Sequence, residues 1–398
     1  MMLMGVGMTL NSAIATPAVS DISARQRYPW NGLVDLKFTV TGTSGTKYDA
    51  SFTAKDMVGN TNVAMKTIRK SDGTTAAAKE SLLPGTYSWI WDAAADLPDG
   101  FKCEQMSIMV DISEFSYTVK FNANGGTGSM ANQSFTYGAA KALTANAFTR
   151  TGYTFQGWAT SPSGGKVYSN KQSVSNLATT SGAVVNLYAV WEHNKVQLWE
   201  GGPYWATTNI GAEKPEDCGY YFWWGDTVGY MYKNDKWVAT DGSSLNFSFK
   251  ESNVPTYGKS NSTLQREGWI TADGVLAPEH DAAHVHWGGD WRMPTNQEFD
   301  DLNNKCDWTR TTQNGVRGYI VKGRGAYTSN SIFLPFTSGW VGGTLLYDVG
   351  SYGYFWSSVP LSDSNSVWNL LLASGVHYSS SSRREVGLSV RPLQGFTK

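Results

Sequence analysis

Residues 34–40 read VDLKFTV. Val34, Leu36, Phe38 and Val40 fall on one side of an extended chain and Asp35, Lys37 and Thr39 on the other, the period of two that marks a half-buried strand. The alternation returns in Tyr87, Trp89 and Trp91 and in Met106, Ile108, Val110 and Ile112. Gly42-Thr43-Ser44-Gly45 and Pro84-Gly85 supply turn chemistry between such segments. Ala76 to Glu80 (AAAKE) predicts one helical turn. Several short strands without helical periodicity predict a small antiparallel sandwich over residues 17–115 and a mainly β, multidomain chain.

Length and charge bound the rest. At 398 residues the prior is two to four domains. Charged residues make up 16%, against about 25% in typical domains, which excludes a coiled coil or polar disorder. With 32 Lys+Arg against 33 Asp+Glu, no field draws nucleic acid or an anionic membrane. Residues 193–398 carry 17 basic and 20 acidic residues, so no basic excess hides there. Three cysteines without a C-x-x-C pair exclude a disulfide-stapled fold and a zinc ribbon. No apolar run reaches the roughly 18 residues of a transmembrane segment. The start, MMLMGVGMTLNSAIA, is apolar and ends in the A-x-A form Ala13-Ile14-Ala15, without a preceding Lys or Arg. Residues 1–16 are therefore expected to be a truncated secretory signal segment.

The 17–115 pattern resembles immunoglobulin-like and fibronectin-like modules, which implies a β-sandwich. Beyond it, Tyr117, Val119 and Phe121 alternate into the turn Asn124-Gly125-Gly126, and a closing strand carries Val185, Leu187, Ala189 and Trp191. Between them stands Arg150-Thr151-Gly152-Tyr153-Thr154-Phe155-Gln156-Gly157-Trp158. This order over 116–192 resembles the Listeria–Bacteroides (internalin B-repeat type) β-grasp repeat. The resemblance implies an extracellular spacer or adhesion module. Tyr153, Phe155, Trp158 and Trp191 suffice for the core of so small a module and are too few for a binding cleft.

From Trp191 onward lie 13 of the 17 tryptophans, and residues 193–398 are long enough to build a complex site. Two helices are predicted: Glu279 to His286, and Thr295 to Asn304, where Thr295 and Glu298 form a capping box behind Pro294. Trp287-Gly288-Gly289-Asp290-Trp291-Arg292-Met293-Pro294-Thr295 resembles the opening motif of Fibrobacter major paralogous (FISUMP-type) domains. Ile332-Phe333-Leu334-Pro335-Phe336, Gly353-Tyr354-Phe355-Trp356-Ser357-Ser358 and Gly387-Leu388-Ser389-Val390-Arg391-Pro392 continue that resemblance, over about 196–394. It implies an α+β, C-type lectin-like fold, shared with formylglycine-generating enzymes and with variable proteins of diversity-generating retroelements. Trp291, Phe333, Leu334 and Trp356 are expected to be core anchors and Arg391 a structural ion-pair partner.

Residues 359–386 read VPLSDSNSVWNLLLASGVHYSSSSRREV, whose polar positions are almost only Ser, Asn, Asp, His, Tyr and Arg; the pattern predicts a loop with strands at Ser366–Ser374 and Leu388–Leu393. Small hydrogen bonders beside rigid aromatics are what recognition loops use, whereas Ser and Asn also favour plain turns. The stretch resembles the variable region of retroelement-diversified proteins, so it reads as a diversified surface, an undiversified lectin-like surface or an ordinary polar loop. The candidate ligand-binding residues are Tyr352, Tyr354, Asp363, Ser364, Asn365, Trp368, Asn369, His377, Tyr378, Ser380, Ser381, Arg383 and Arg384. The expected partner is a protein or glycan on another cell or surface, not nucleic acid.

No cofactor is expected. Neither the Glu-Pro-Asn or Gln-Pro-Asp triplet nor the Trp-Asn-Asp of calcium-dependent lectins occurs. His280, His284 and His286 are the one metal-like cluster, with His286 nearly opposite the other two on a helix. Cys218 and Cys306 predict either a structural disulfide or two buried thiols, with Cys103 free. No nucleophile elbow, P-loop or dinucleotide fingerprint appears, so the expectation is not an enzyme. The alternatives are an enzyme of formylglycine-generating-like fold with an unrecognised site, or a structural surface stalk.

Overall fold

The computed structural model describes residues 16–29, 31–99, 101, 103–233, 236–243, 254–340, 346–347, 350–362 and 365–395. The expected signal segment lies outside them except for Thr16. Strands dominate the described residues, arranged in several separate sheets. The chain packs as two compact units: one runs to Thr149 and resumes over Phe155–Val190, and the other comprises Arg150–Thr154 and the chain from Trp191 onward.

The first unit opens with two antiparallel sheets. One has the strand order Ala18–Gln26, Leu33–Thr41, Gly85–Asp92, Ile68–Arg69. In the other, Tyr48–Asp56 pairs with Thr61–Ala64, Glu80–Leu82 and Met106–Glu114. Leu36, Phe38 and Val40 point inward as their spacing requires, and the Phe38 ring meets Phe52 at 5.5 Å and Trp89 at 5.3 Å. The helical turn expected at Ala76–Glu80 does not form. Glu80 instead opens a strand, and its carboxylate accepts the Ala77 amide at 2.8 Å. The short helix of this region is Ala93–Asp96. Asp96 Oδ2 accepts the amides of Lys66 and Thr67 and the Trp91 indole N–H at 2.6, 2.9 and 2.8 Å. Desolvation raises that carboxyl, but these donors outweigh it and hold it below the ordinary aspartate range.

The repeat segment forms a third sheet in the same unit, ordered Gln133–Thr136, Ser116–Asn122, Val184–His193, Tyr153–Ala159. Its two central strands run parallel, Val185 opposite Val119. Asn124 sits at φ +48°, and its side-chain amide donates to the carbonyls of Pro162 and Ala189. Trp158 is fully buried against Phe121, whereas Tyr153, Phe155 and Trp191 are only half-buried.

The second unit is built on a seven-stranded sheet in the order Lys236–Ala239, Tyr230–Lys233, Tyr221–Phe222, Leu388–Ser389, Gly353–Pro360, Ser366–Ala373, Val376–Arg383. Phe355, Leu370 and Leu372 join one core, with Phe299 and Leu302 of the helix Asn296–Lys305. Tyr354, Trp356 and Val367 point to the other, with Trp224 and Leu388. The central strands are thus covered on both faces, which makes them continuous apolar runs. The capping box of Thr295 and Glu298 forms as its spacing predicts. A small sheet, ordered Lys195–Gln197, Tyr204–Ala206, Leu393–Gln394, Trp291–Arg292, joins the first and last described strands of this unit.

Arg391 was expected to be an ion-pair partner and has none among the described residues. It is fully buried and donates to Asn209 Oδ1 at 2.7 Å and to the carbonyls of Ala206 and Phe333 at 3.1 and 3.0 Å. Burial lowers its guanidinium to about 9. His193 stacks on Trp287 at 3.5 Å, and burial, with a smaller contribution from Arg150, lowers the imidazole to about 4.

Candidate functional site

The strand expected at Ser366–Ser374 forms, and the polar residues after it, expected to be loop, make the second strand of a hairpin. Ser366–Ala373 pairs with Val376–Arg383 over eight residues, joined at Ser374-Gly375, where Gly375 takes φ +85°. The serines that read as turn formers become strand because this ladder satisfies their backbone and helix Asn296–Lys305 supports one face. On that face Ser379 donates to Asp300, and His377 stacks on Trp308 at 4.1 Å with Nδ1 2.9 Å from Asn303 Oδ1. Burial holds the His377 imidazole below its usual range.

Three candidate ligand-binding residues belong to the interior. Tyr354 is 9% exposed, and Asn369 and Arg384 are wholly buried. Asn369 sits between Trp356 and Ser380 in the ladder and donates to Ser382 Oγ at 2.6 Å. Arg384 holds the carbonyls of Thr256 and Lys259 at 2.6 and 2.9 Å, its guanidinium 5.1 Å from the Trp224 ring. A buried guanidinium needs such acceptors, so it serves the scaffold. Asp363 and Ser364 lie outside the described residues. Asn365, half-buried, accepts the Gly258 amide at 3.1 Å. Arg383 is exposed but ion-paired to Glu385 and bonded to the Tyr257 hydroxyl at 2.9 Å.

What faces outward is narrower. Tyr378 is 49% and Val376 46% exposed, Ser381 is exposed, and Tyr352, Trp368 and Ser380 are half-buried. Register places Tyr354, Leu371 and Tyr378 in one row across three strands, with Tyr352 stacked 6.1 Å from Tyr354. Val376 and Leu371 were missed because aliphatic residues carry no chemical signature in sequence.

A cleft of about 690 Å³ lies elsewhere in the same unit, between the 271–278 turn and the start of helix Asn296–Lys305. Its carboxylates largely serve the backbone. Asp281 Oδ1 caps the helix Ala282–Trp287 through the amides of Ala283 and His284, and Oδ2 accepts the Met293 amide at 2.8 Å. Burial raises this carboxyl above the ordinary aspartate range, against the pull of those amides. Glu298 takes both terminal nitrogens of Arg292 as well as the Thr295 cap.

The histidine cluster is dispersed. Asp281 restarts the helix after His280, which stacks on Trp269 at 4.0 Å, while His286 bonds the Thr227 carbonyl and His284 lines the cleft. Cys218 and Cys306 are unbridged and belong to different cores. Burial pushes the Cys306 thiol up to about 12 and raises Cys218 as well, which suppresses the reactive thiolate.

The architecture is that of a mainly β protein of several sheets whose site-bearing unit has an open sheet edge and a cleft. Within it, residues 117–190 match the Listeria-Bacteroides repeat domain, a repeat typical of extracellular or surface bacterial proteins. No curated protein matches the chain, and no solved structure does. Among the described residues no helix is long and apolar enough to cross a membrane.

Proposed function

We propose that this is a secreted or surface bacterial protein that binds a protein or glycan without catalysis, through the edge strand of hairpin 366–383. In this reading residues 193–398 are a C-type lectin-like domain, preceded by an immunoglobulin-like sandwich over 17–115 and a β-grasp repeat over 116–192. One observation carries it. Val376–Arg383 is the edge strand of the seven-stranded sheet, so its backbone is fixed on one side while Tyr378 is exposed on one face of the strand and Ser381 on the other. A half-exposed tyrosine on a rigid strand offers contact area at low entropic cost, and neighbouring hydroxyls set specificity.

The test is a glycan and protein array probed with the full chain and with the Tyr378→Ala/Ser381→Ala double variant. The expected result is a ligand captured by the first and lost by the second, with melting temperatures within about 2 °C of each other. Capture that survives the double variant would overturn the proposal. Binding is expected to persist in EDTA. The diversified form of the reading is supported by the same geometry, since side chains on a paired strand can vary without moving its backbone. It requires a template repeat and a reverse transcriptase gene beside the coding sequence, and their absence would sink it.

A further inference from the structure

The cleft between the 271–278 turn and helix Asn296–Lys305 shares no lining residue with the hairpin surface. Its apolar side is formed by Val275, Leu276, Pro278, Trp291 and Met293. At about 690 Å³ it falls in the range that encloses a whole small molecule. The charge inventory then decides what such a molecule carries. Arg292 is held by Glu298, and Lys305 pairs with Asp301 at 3.2 Å, so both cations are already neutralised. Asp281 is spent on three backbone amides.

That leaves Asp273 and Asp290. Both are exposed at the cleft, and neither side chain makes a hydrogen bond or ion pair among the described residues.

We propose that this cleft binds a small organic cation: a protonated amine on an aromatic or branched apolar body. The body lies on Leu276, Met293 and Trp291, and the ammonium faces Asp273 and Asp290. Anionic ligands are disfavoured because Arg292 and Lys305 are already ion-paired and two exposed carboxylates repel them.

Three probes of one shape separate charge from burial: tryptamine, the neutral alcohol tryptophol and indole-3-acetate. Each is titrated into the full chain at low salt and followed by isothermal calorimetry and ligand-observed NMR. The expected order is tryptamine about tenfold tighter than tryptophol, with indole-3-acetate weaker still. The Asp273→Asn/Asp290→Asn variant changes two exposed side chains and is expected to fold, as judged by circular dichroism. It should bring tryptamine down to the affinity of tryptophol. Equal affinity for all three probes, unchanged tryptamine binding by the variant, or no tryptamine binding at about 10 mM would each overturn the proposal. None of those outcomes bears on the hairpin surface, whose array test uses different residues.

Discussion

Asp281→Asn isolates the strongest local tie beside the cleft. The carboxylate uses both oxygens: Oδ1 on the Ala283 and His284 amides at 2.8 and 3.2 Å, Oδ2 on the Met293 amide at 2.8 Å. Asparagine is as good a helix N-cap as aspartate, so the first pair survives. Its NH2 group, however, must then face the Met293 N–H, donor against donor, and that buried amide loses its acceptor. The orphaned group costs about 1–3 kcal/mol, and removing a buried charge returns part of it, leaving a net loss of about 2 kcal/mol. Asp96 is the internal control, because its three donors all converge on Oδ2 and an amide oxygen turned into that place keeps all three. Asp96→Asn should therefore cost under about 1 kcal/mol. Peptide-resolved hydrogen exchange over 282–293 and 66–97 in the full chain measures both local openings. If Asp96→Asn proves the more damaging of the two, the reasoning from acceptor geometry is wrong.

Other outcomes follow from the same structure. His193 titrates at about 4 when folded against 6.5 when free, so its contribution is complete above pH 6.5 and is lost as pH falls towards 4. After discounting for solvent screening the loss is about 2 kcal/mol, and urea titrations of His193→Phe across that window should show a flatter pH dependence. Asp96, depressed below 3.8, contributes stability above that value and loses it in more acid solution, so Asp96→Asn should flatten the acid limb of the curve. Arg384→Ala should lower stability by about 3–5 kcal/mol, whereas Tyr378→Ala should change it by less than about 0.5 kcal/mol, both read by denaturant melts.

Some of this was legible in the chain and some was not. The alternation at Val34–Val40 placed a strand with the right face inward because a half-buried sheet enforces period two. Thr295 and Glu298 announced a helix because capping is local chemistry. Gly353–Pro360 shows no alternation because both its faces are covered, yet its apolar density still marked it as core. The hydroxyl-rich strand at 376–383 was misread because serine's turn preference is weak beside an eight-residue ladder and a supporting helix. Asn369, Arg384 and Arg391 carry the polar identity of surface residues, and only tertiary contacts supply the acceptors that bury them. The cleft draws its walls from residues 271 to 305 and Ser358, an adjacency that exists only after folding.

The small sheet that gathers Lys195–Gln197, Tyr204–Ala206 and Leu393–Gln394 also fixes where mechanical load would travel. Its two outer members among these three run in the same direction, each antiparallel to the strand between them. A pull on the chain at Lys195 and at Gln394 therefore slides the strands past one another and strains their cross-links together instead of unzipping them singly. The hairpin, within the long excursion between those points, lies off the stressed path, whereas the cleft touches that path through Trp291–Arg292, paired with Leu393–Gln394. A grip built on the hairpin would keep its shape while the tether on either side is under tension.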